Sequence, residues 1–121
     1  MDGYTGNLAF LTDPLCLRQT LLELVNLVGM KPISEPLVVN YPDGNGRERG
    51  LSGMVFLAES NITAHTYPEY GFVFLDIFSC RSFMPEHILN WLKDKLGLHN
   101  FRTAILSRGI IKGRIIPVGL S

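Results

Sequence analysis

The sequence predicts an α+β fold: a two-layer α/β sandwich with a largely antiparallel sheet and helices packed on one face. Three observations carry that reading. The 121 residues suffice for one compact domain, 1–121, and are too few for two of ordinary size. Hydrophobic residues make up 46% and charged residues 18%, enough apolar surface to offset chain entropy, so a wholly disordered chain is excluded. The apolar segments run in the order β-α-β-β-β-β-α-β-β, with no repeat or low-complexity linker, and that order packs best as helices against one side of a sheet.

Taken in turn, Tyr4 to Leu11 is expected to be a short strand, carrying Tyr4, Leu8, Phe10 and Leu11. It ends at Thr12-Asp13-Pro14, where a capping side chain followed by proline in the first turn opens a helix. Leu17, Leu21, Leu24, Val25 and Val28 then recur at three- and four-residue intervals, and Gly29 suits the position just past the helix end. The polar residues Arg18, Gln19 and Glu23 form no basic side, so the apolar stripe reads as a core face and not a membrane-binding one. Ile33 to Tyr41 reads as a second strand, interrupted early by Pro36 and closed by the turn Pro42-Asp43-Gly44-Asn45-Gly46. Gly46-Arg47-Glu48-Arg49-Gly50 has the look of a phosphate loop, but it lacks a Gly-Lys-Ser/Thr ending and a following helix, so a solvated hairpin loop is expected.

Leu51 to Ala58 and Ile62 to Thr66 read as strands, followed by a turn around Tyr67-Pro68-Glu69-Tyr70-Gly71 and another strand from Phe72 to Phe78. Pro85 opens the second helix, with Ile88, Leu89, Trp91, Leu92 and Leu96 before Gly97. Phe101 to Leu106 and Ile110 to Val118 complete the sheet.

Eleven basic residues balance eleven acidic ones, so there is no general positive field to hold a phosphate backbone, and nucleic acid is not the expected partner. Cys16 and Cys80 are too few for a disulfide framework, and no secretory segment opens the sequence; reduced thiols in the cytoplasm are expected. Lys112, Arg114 and Pro117 interrupt even the apolar C-terminal stretch, and no run approaches the roughly 18 residues that a bilayer span needs.

Reactive side chains concentrate mid-chain: Glu59, Ser60, His65, Glu69, Asp76 and Cys80. Ser60 and His65 are five apart, which on a regular strand sets them on opposite faces, so they form an adjacent nucleophile and base only through a bend or a tertiary contact. From spacing alone, a strand-edge hydroxyl, a hydrogen-bonded sheet histidine and a small apolar cysteine are the favoured account of Ser60, His65 and Cys80. No metal is expected, because His65, His87 and His99 are scattered and no paired cysteine or His-Glu-x-x-His arrangement occurs. Nor can a glycosidase pair be chosen among Glu59, Glu69 and Asp76.

The continuous segment Glu59-Ser60-Asn61-Ile62-Thr63-Ala64-His65-Thr66-Tyr67-Pro68-Glu69, together with Asp76-Ile77-Phe78-Ser79-Cys80, is more specific. It resembles the prokaryotic S-adenosylmethionine decarboxylase proenzymes, whose pattern is approximately Glu-Ser-His, a gap, His-Thr-aromatic-Pro-Glu, then Asp-x-Phe-Thr-Cys-Gly. Leu51-Ser52-Gly53 precedes it at the family spacing, and Arg108-Gly109 agrees more weakly. The resemblance implies self-cleavage between Glu59 and Ser60. Ser60 would attack the Glu59 carbonyl and, after elimination and hydrolysis, become a covalent pyruvoyl group, with no pyridoxal phosphate required. His65 and Ser52 would assist maturation, His65 by moving a proton and Ser52 by hydrogen-bonding the intermediate. The pyruvoyl ketone would condense with the amine of a small amino-acid-type substrate and accept the electrons freed as carbon dioxide leaves. Cys80 would return a proton to the substrate carbon, Glu69 would contact ribose hydroxyls, and a homodimer would share residues across its interface. A strained backbone near Glu59-Ser60 would favour the attack.

Asn61 stands where the family has histidine, and Arg81 where it has glycine after the cysteine. The stretch from Asn40 to Gly50 is longer and richer in glycine than the family's, leaving Tyr41 as a displaced substitute for the aromatic that stacks on adenine. The leading expectation is decarboxylation of S-adenosylmethionine for polyamine synthesis. The alternatives are a pyruvoyl-dependent arginine or ornithine decarboxylase, and an uncleaved, non-catalytic regulatory homologue.

Overall fold

Asn7 and Asp13 decide how the chain leaves its first strand. In the computed structural model, which describes residues 1–42, 48–107, 110–111 and 114–115, β1 is only Asp2–Tyr4 and is followed by a helix, α1, Leu8–Thr12. The expected strand to Leu11 is thus corrected to a strand and a helix. Its physical cause is capping: the Asn7 side chain accepts a hydrogen bond from the Phe10 N–H at 3.1 Å, turning the chain so that Phe10 and Leu11 bury on one side. Asp13 then ends α1 with its own N–H on the Ala9 carbonyl and starts α2, Pro14–Val28, by accepting from the Leu15 N–H at 2.9 Å. The α2 stripe of Leu17, Leu21, Leu24, Val25 and Val28 is buried as expected, and Gly29 closes the helix at φ 73°.

Four strands follow: β2, Leu37–Pro42; β3, Glu48–Leu57; β4, Ser60–Tyr67; and β5, Phe72–Ser79. β2 begins after Pro36 and not at Ile33, since proline cannot donate to a ladder. Of the segment before it, only Pro32 forms an isolated bridge, to Leu57. The second expected helix is α3, Pro85–Leu96, closed by Gly97 at φ 64°. β6, His99–Arg102, is shorter than the expected Phe101–Leu106, and β7 and β8, Ile110–Ile111 and Arg114–Ile115, form a separate two-stranded pair. Positions 43–47, Arg108-Gly109 and 116–121, which include most of the expected turn and phosphate-like loop and the end of the expected last strand, lie outside the described residues.

The main sheet has the order β2-β3-β4-β5-β1-β6, and each pairing within it is antiparallel. All three helices contribute to the core on one face. Burial alternates along β4: Ser60, Ile62, Ala64 and Thr66 are buried, whereas Asn61, Thr63, His65 and Tyr67 are only partly so. That alternation is the strand's period of two with one face covered. The other face is left open, and among the described residues no helix is long and apolar enough to cross a membrane.

Candidate active site

β3 and β4 are joined by a two-residue turn, Ala58-Glu59, with Leu57 facing Ser60 across the ladder. Glu59 has φ 64°. Two-residue hairpins normally carry positive φ at both turn residues or at the first, usually on Gly, Asn or Asp. A glutamate held left-handed at the second position costs about 1–2 kcal/mol. The strain that the sequence could not display therefore sits on the residue whose carbonyl precedes Ser60.

Ser60 is 6% exposed and lies on the helix-covered face, opposite Ser79. Its hydroxyl oxygen accepts from the Cys80 N–H at 3.4 Å, and Cys80 is exposed just past the end of β5. Buried serine, strained carbonyl and accessible cysteine thus share one end of the sheet. Cys16, by contrast, is half-buried on α2, and burial, reinforced by the Asp13 carboxylate, raises its thiol above the ordinary value, which makes it a poor nucleophile.

Ser52 and His65 come together elsewhere. They face each other across β3 and β4, with Ser52 Oγ 2.8 Å from His65 Nδ1. The pair belongs to the open face, in the cross-strand row Val39, Ser52, His65, Phe74. His65 is about 16 Å along β4 from Ser60, at roughly 3.3 Å per residue, and on the opposite face. No bend closes that gap: the β3–β4 register runs unbroken from Ser52–His65 to Leu57–Ser60.

Glu69 is exposed in the β4–β5 turn, beyond Tyr67, and so more than about 23 Å from Ser60 along the strand. Tyr41 donates its hydroxyl to the Thr66 carbonyl at 2.8 Å, reaching across β3. Only glycine at position 50 allows that crossing, because a Cβ there would stand 2.1 Å from the Thr66 oxygen and 2.8 Å from the Tyr41 hydroxyl. Tyr41 also begins a chain of ring contacts: Tyr67 at 6.0 Å, Phe74 5.3 Å beyond it, then Phe72 and Tyr4 at steps of 4.8 Å. Tyr4, Tyr67, Tyr70, Phe72 and Phe74 line an open hollow of about 420 Å³ beside the Glu69 turn. Sequence reasoning missed this aromatic surface; the alternation Phe72-x-Phe74 within a strand was the signal that could have exposed it.

The predicted residues thus form two half-sites. One holds Glu59, Ser60 and Cys80, a hydroxyl beside a strained carbonyl with a thiol at hand. The other holds Ser52 and His65, a hydroxyl–imidazole pair able to pass a proton, with Tyr41 and Glu69 further along the same sheet end. Among the described residues no three His, Cys, Asp or Glu side chains group as metal ligands would.

The sequence model for the family described as S-adenosylmethionine decarboxylase matches residues 1–109. Among curated proteins, the chain is similar to the S-adenosylmethionine decarboxylase proenzyme of Acidithiobacillus ferrooxidans, 39% identical over 69 residues, covering 56% of this chain and 52% of the relative. It is 42% identical over 71 residues to the proenzyme of Thermoplasma acidophilum, covering 58% and 51%, and 37% identical over 62 residues to that of a Geobacillus species, covering 51% and 50%. In each case the chain spans about half the length of the relative it matches.

Proposed function

The chain belongs to the S-adenosylmethionine decarboxylase family, and from that membership we propose that it is a self-processing, pyruvoyl-dependent decarboxylase of S-adenosylmethionine. The observation that carries this reading is the left-handed Glu59 immediately before a buried Ser60. Attack of Ser60 Oγ on the Glu59 carbonyl carbon exchanges the peptide bond for an ester, with the proton passing to the freed nitrogen. Elimination then releases residues 1–59 as a carboxylate and leaves dehydroalanine at position 60. Water converts that residue to a pyruvoyl cap with loss of ammonia. The strain at Glu59 favours the first step because the exchange releases it.

The Ser60 environment fits such a cap. The Cys80 N–H reaches Ser60 Oγ at 3.4 Å; that oxygen departs with the released carboxylate, Cβ becomes the methyl of the cap, and the ketone oxygen, taken from water, stands on Cα in place of the former nitrogen. When formed, the group supplies an electron sink for loss of carbon dioxide from a bound amino acid. Cys80 is the residue suited to returning a proton to the substrate carbon, being exposed beside position 60.

His65 and Ser52 act, in this reading, on the junction of a second copy. Within one chain they are separated from Ser60 by about 16 Å of strand and the thickness of the sheet. The open face that bears them also exposes Leu37, Val39, Phe56, Phe78 and Tyr4, an apolar surface of the kind a partner covers. A homodimer formed through this face, with the protomers reversed end for end, sets each Ser52–His65 pair over the turn end of its partner's sheet, where the Glu59–Ser60 peptide lies in the plane of the sheet while the Ser60 side chain points to the far side.

Intact-mass measurement of the purified protein tests the first part: two fragments, 1–59 and 60–121, are expected, the second lacking a free amino terminus, and Ser60→Ala is expected to give neither fragments nor turnover. An undivided, active chain overturns the reading. Parallel assays on S-adenosylmethionine, arginine and ornithine test the substrate. Co-expression of differently tagged Ser60→Ala and His65→Ala chains tests the shared site. Each variant alone should stay whole, whereas mixed pairs should cleave the His65→Ala chain. Absence of that cleavage, with the wild type processed, would rule out sharing.

A further inference from the structure

The two sides of the Glu59–Ser60 junction are held differently. Downstream, Ser60 lies between β3 and β5 in an unbroken ladder. Upstream, β3 outruns its outer neighbour: β2 starts at Leu37 opposite Met54, so β3 from Val55 onward has no β2 residue beside it. The segment leaving α2 fills the gap. Lys31 accepts through its carbonyl from the Ala58 N–H at 3.1 Å, Pro32 bridges Leu57, and the Ile33 N–H donates to the Phe56 carbonyl at 3.0 Å. The Phe56 N–H donates to Ser34 Oγ at 3.0 Å. Met30, at the head of the same segment, is buried with its sulfur 3.7 Å from the hydroxyl of Ser79, the residue facing Ser60.

Ser34 differs from the rest of this strap. The other ties to β3 are made by main-chain atoms, but here a side-chain hydroxyl stands where a neighbouring strand would offer a carbonyl. Phe56 is three residues before Glu59, and both of its main-chain groups are engaged by the strap. Releasing one frees the arm that ends in the turn, and a freed arm lets Glu59 leave its left-handed conformation for an unstrained one.

We propose that Ser34 is a positioning residue for self-processing: by holding Phe56 it keeps the Glu59 carbonyl in the strained geometry from which Ser60 attacks. This inference rests on the self-processing reading above and deepens it. Once the junction has opened the strain is spent, so Ser34 contributes to maturation and not to turnover by the mature enzyme.

The test is the rate at which freshly synthesised chain separates into its two fragments, followed by denaturing gel for the wild type, Ser34→Ala and Ser34→Thr. Ser34→Ala should cleave about fivefold more slowly, the factor that one ordinary hydrogen bond carries. Ser34→Thr, which keeps the hydroxyl, should restore the wild-type rate. Turnover per processed site, measured on fully cleaved material, should be unchanged in both. Cleavage of Ser34→Ala at the wild-type rate overturns the inference alone. So does a fall in turnover that parallels the fall in processing, since that marks a general loosening. A wild type that never cleaves overturns the self-processing reading and this inference with it.

Discussion

The helix-covered and open faces of the sheet are built from the same strands yet obey different rules. On the covered face, Leu51, Val55, Leu57, Ile62, Ala64, Val73 and Leu75 bury against α2 and α3, and the polar Ser60 survives there only at the sheet's end. On the open face the same strands carry Ser52, His65, Phe74 and Phe56. A single strand, β4, contributes to both half-sites because its side chains alternate. The chain consequently divides its candidate residues between a face already packed and a face left open.

Four substitutions separate the faces, in descending order of expected effect. Leu21→Ala, at a fully buried position on α2, should cost about 2–5 kcal/mol in a urea titration through lost contacts and a residual cavity. Gly50→Ala drives a methyl carbon against the Thr66 carbonyl, which cannot swing aside as a side chain could. A cost of about 1–3 kcal/mol is expected, with loss of the Tyr41 hydrogen bond visible as a change in tyrosine fluorescence. Phe56→Ser, 52% exposed on the open face, should alter protomer stability by less than about 0.5 kcal/mol. Its effect should instead appear in sedimentation as a shift from the proposed dimer towards monomer. If it destabilises the protomer as Leu21→Ala does, the two faces are not distinct.

The smallest effect concerns Glu23 and Lys95, which pair across α2 and α3 on the outer surface. The hydrogen bond from Lys95 holds the Glu23 carboxyl below its ordinary value. A carboxyl depressed in the folded state stabilises above the ordinary carboxylate range, and that contribution is lost as pH falls through the folded value. Glu23→Gln should therefore cost no more than about 0.3 kcal/mol at neutral pH and nothing in acid, as read from urea midpoints at the two conditions.

Much of this could be read in advance where the signal is local. Pro14 with Gly29 and Pro85 with Gly97 bracket α2 and α3, and the spacing of their leucines set the buried sides. α1 was missed because Asn7 was not recognised as a cap, leaving Leu8, Phe10 and Leu11 to pass for a strand. β6 came out short because Thr103 to Leu106 are apolar enough to read as strand while pairing with nothing in the sheet.

For the candidate site, the residues at positions 52, 59, 60, 65 and 80 were named through the resemblance of their segments to the decarboxylase family, whereas the opposition of Ser60 to His65 followed from the period of a strand alone. Residue type and spacing are properties of the chain itself. The pairing of Ser52 with His65, the proximity of Cys80 to Ser60, the strap through Ser34 and the left-handed Glu59 were decided only by tertiary structure. Each depends on which strand lies beside which and in what register, and the backbone angle of an Ala-Glu turn follows from the strands that it must join, not from the two residues themselves.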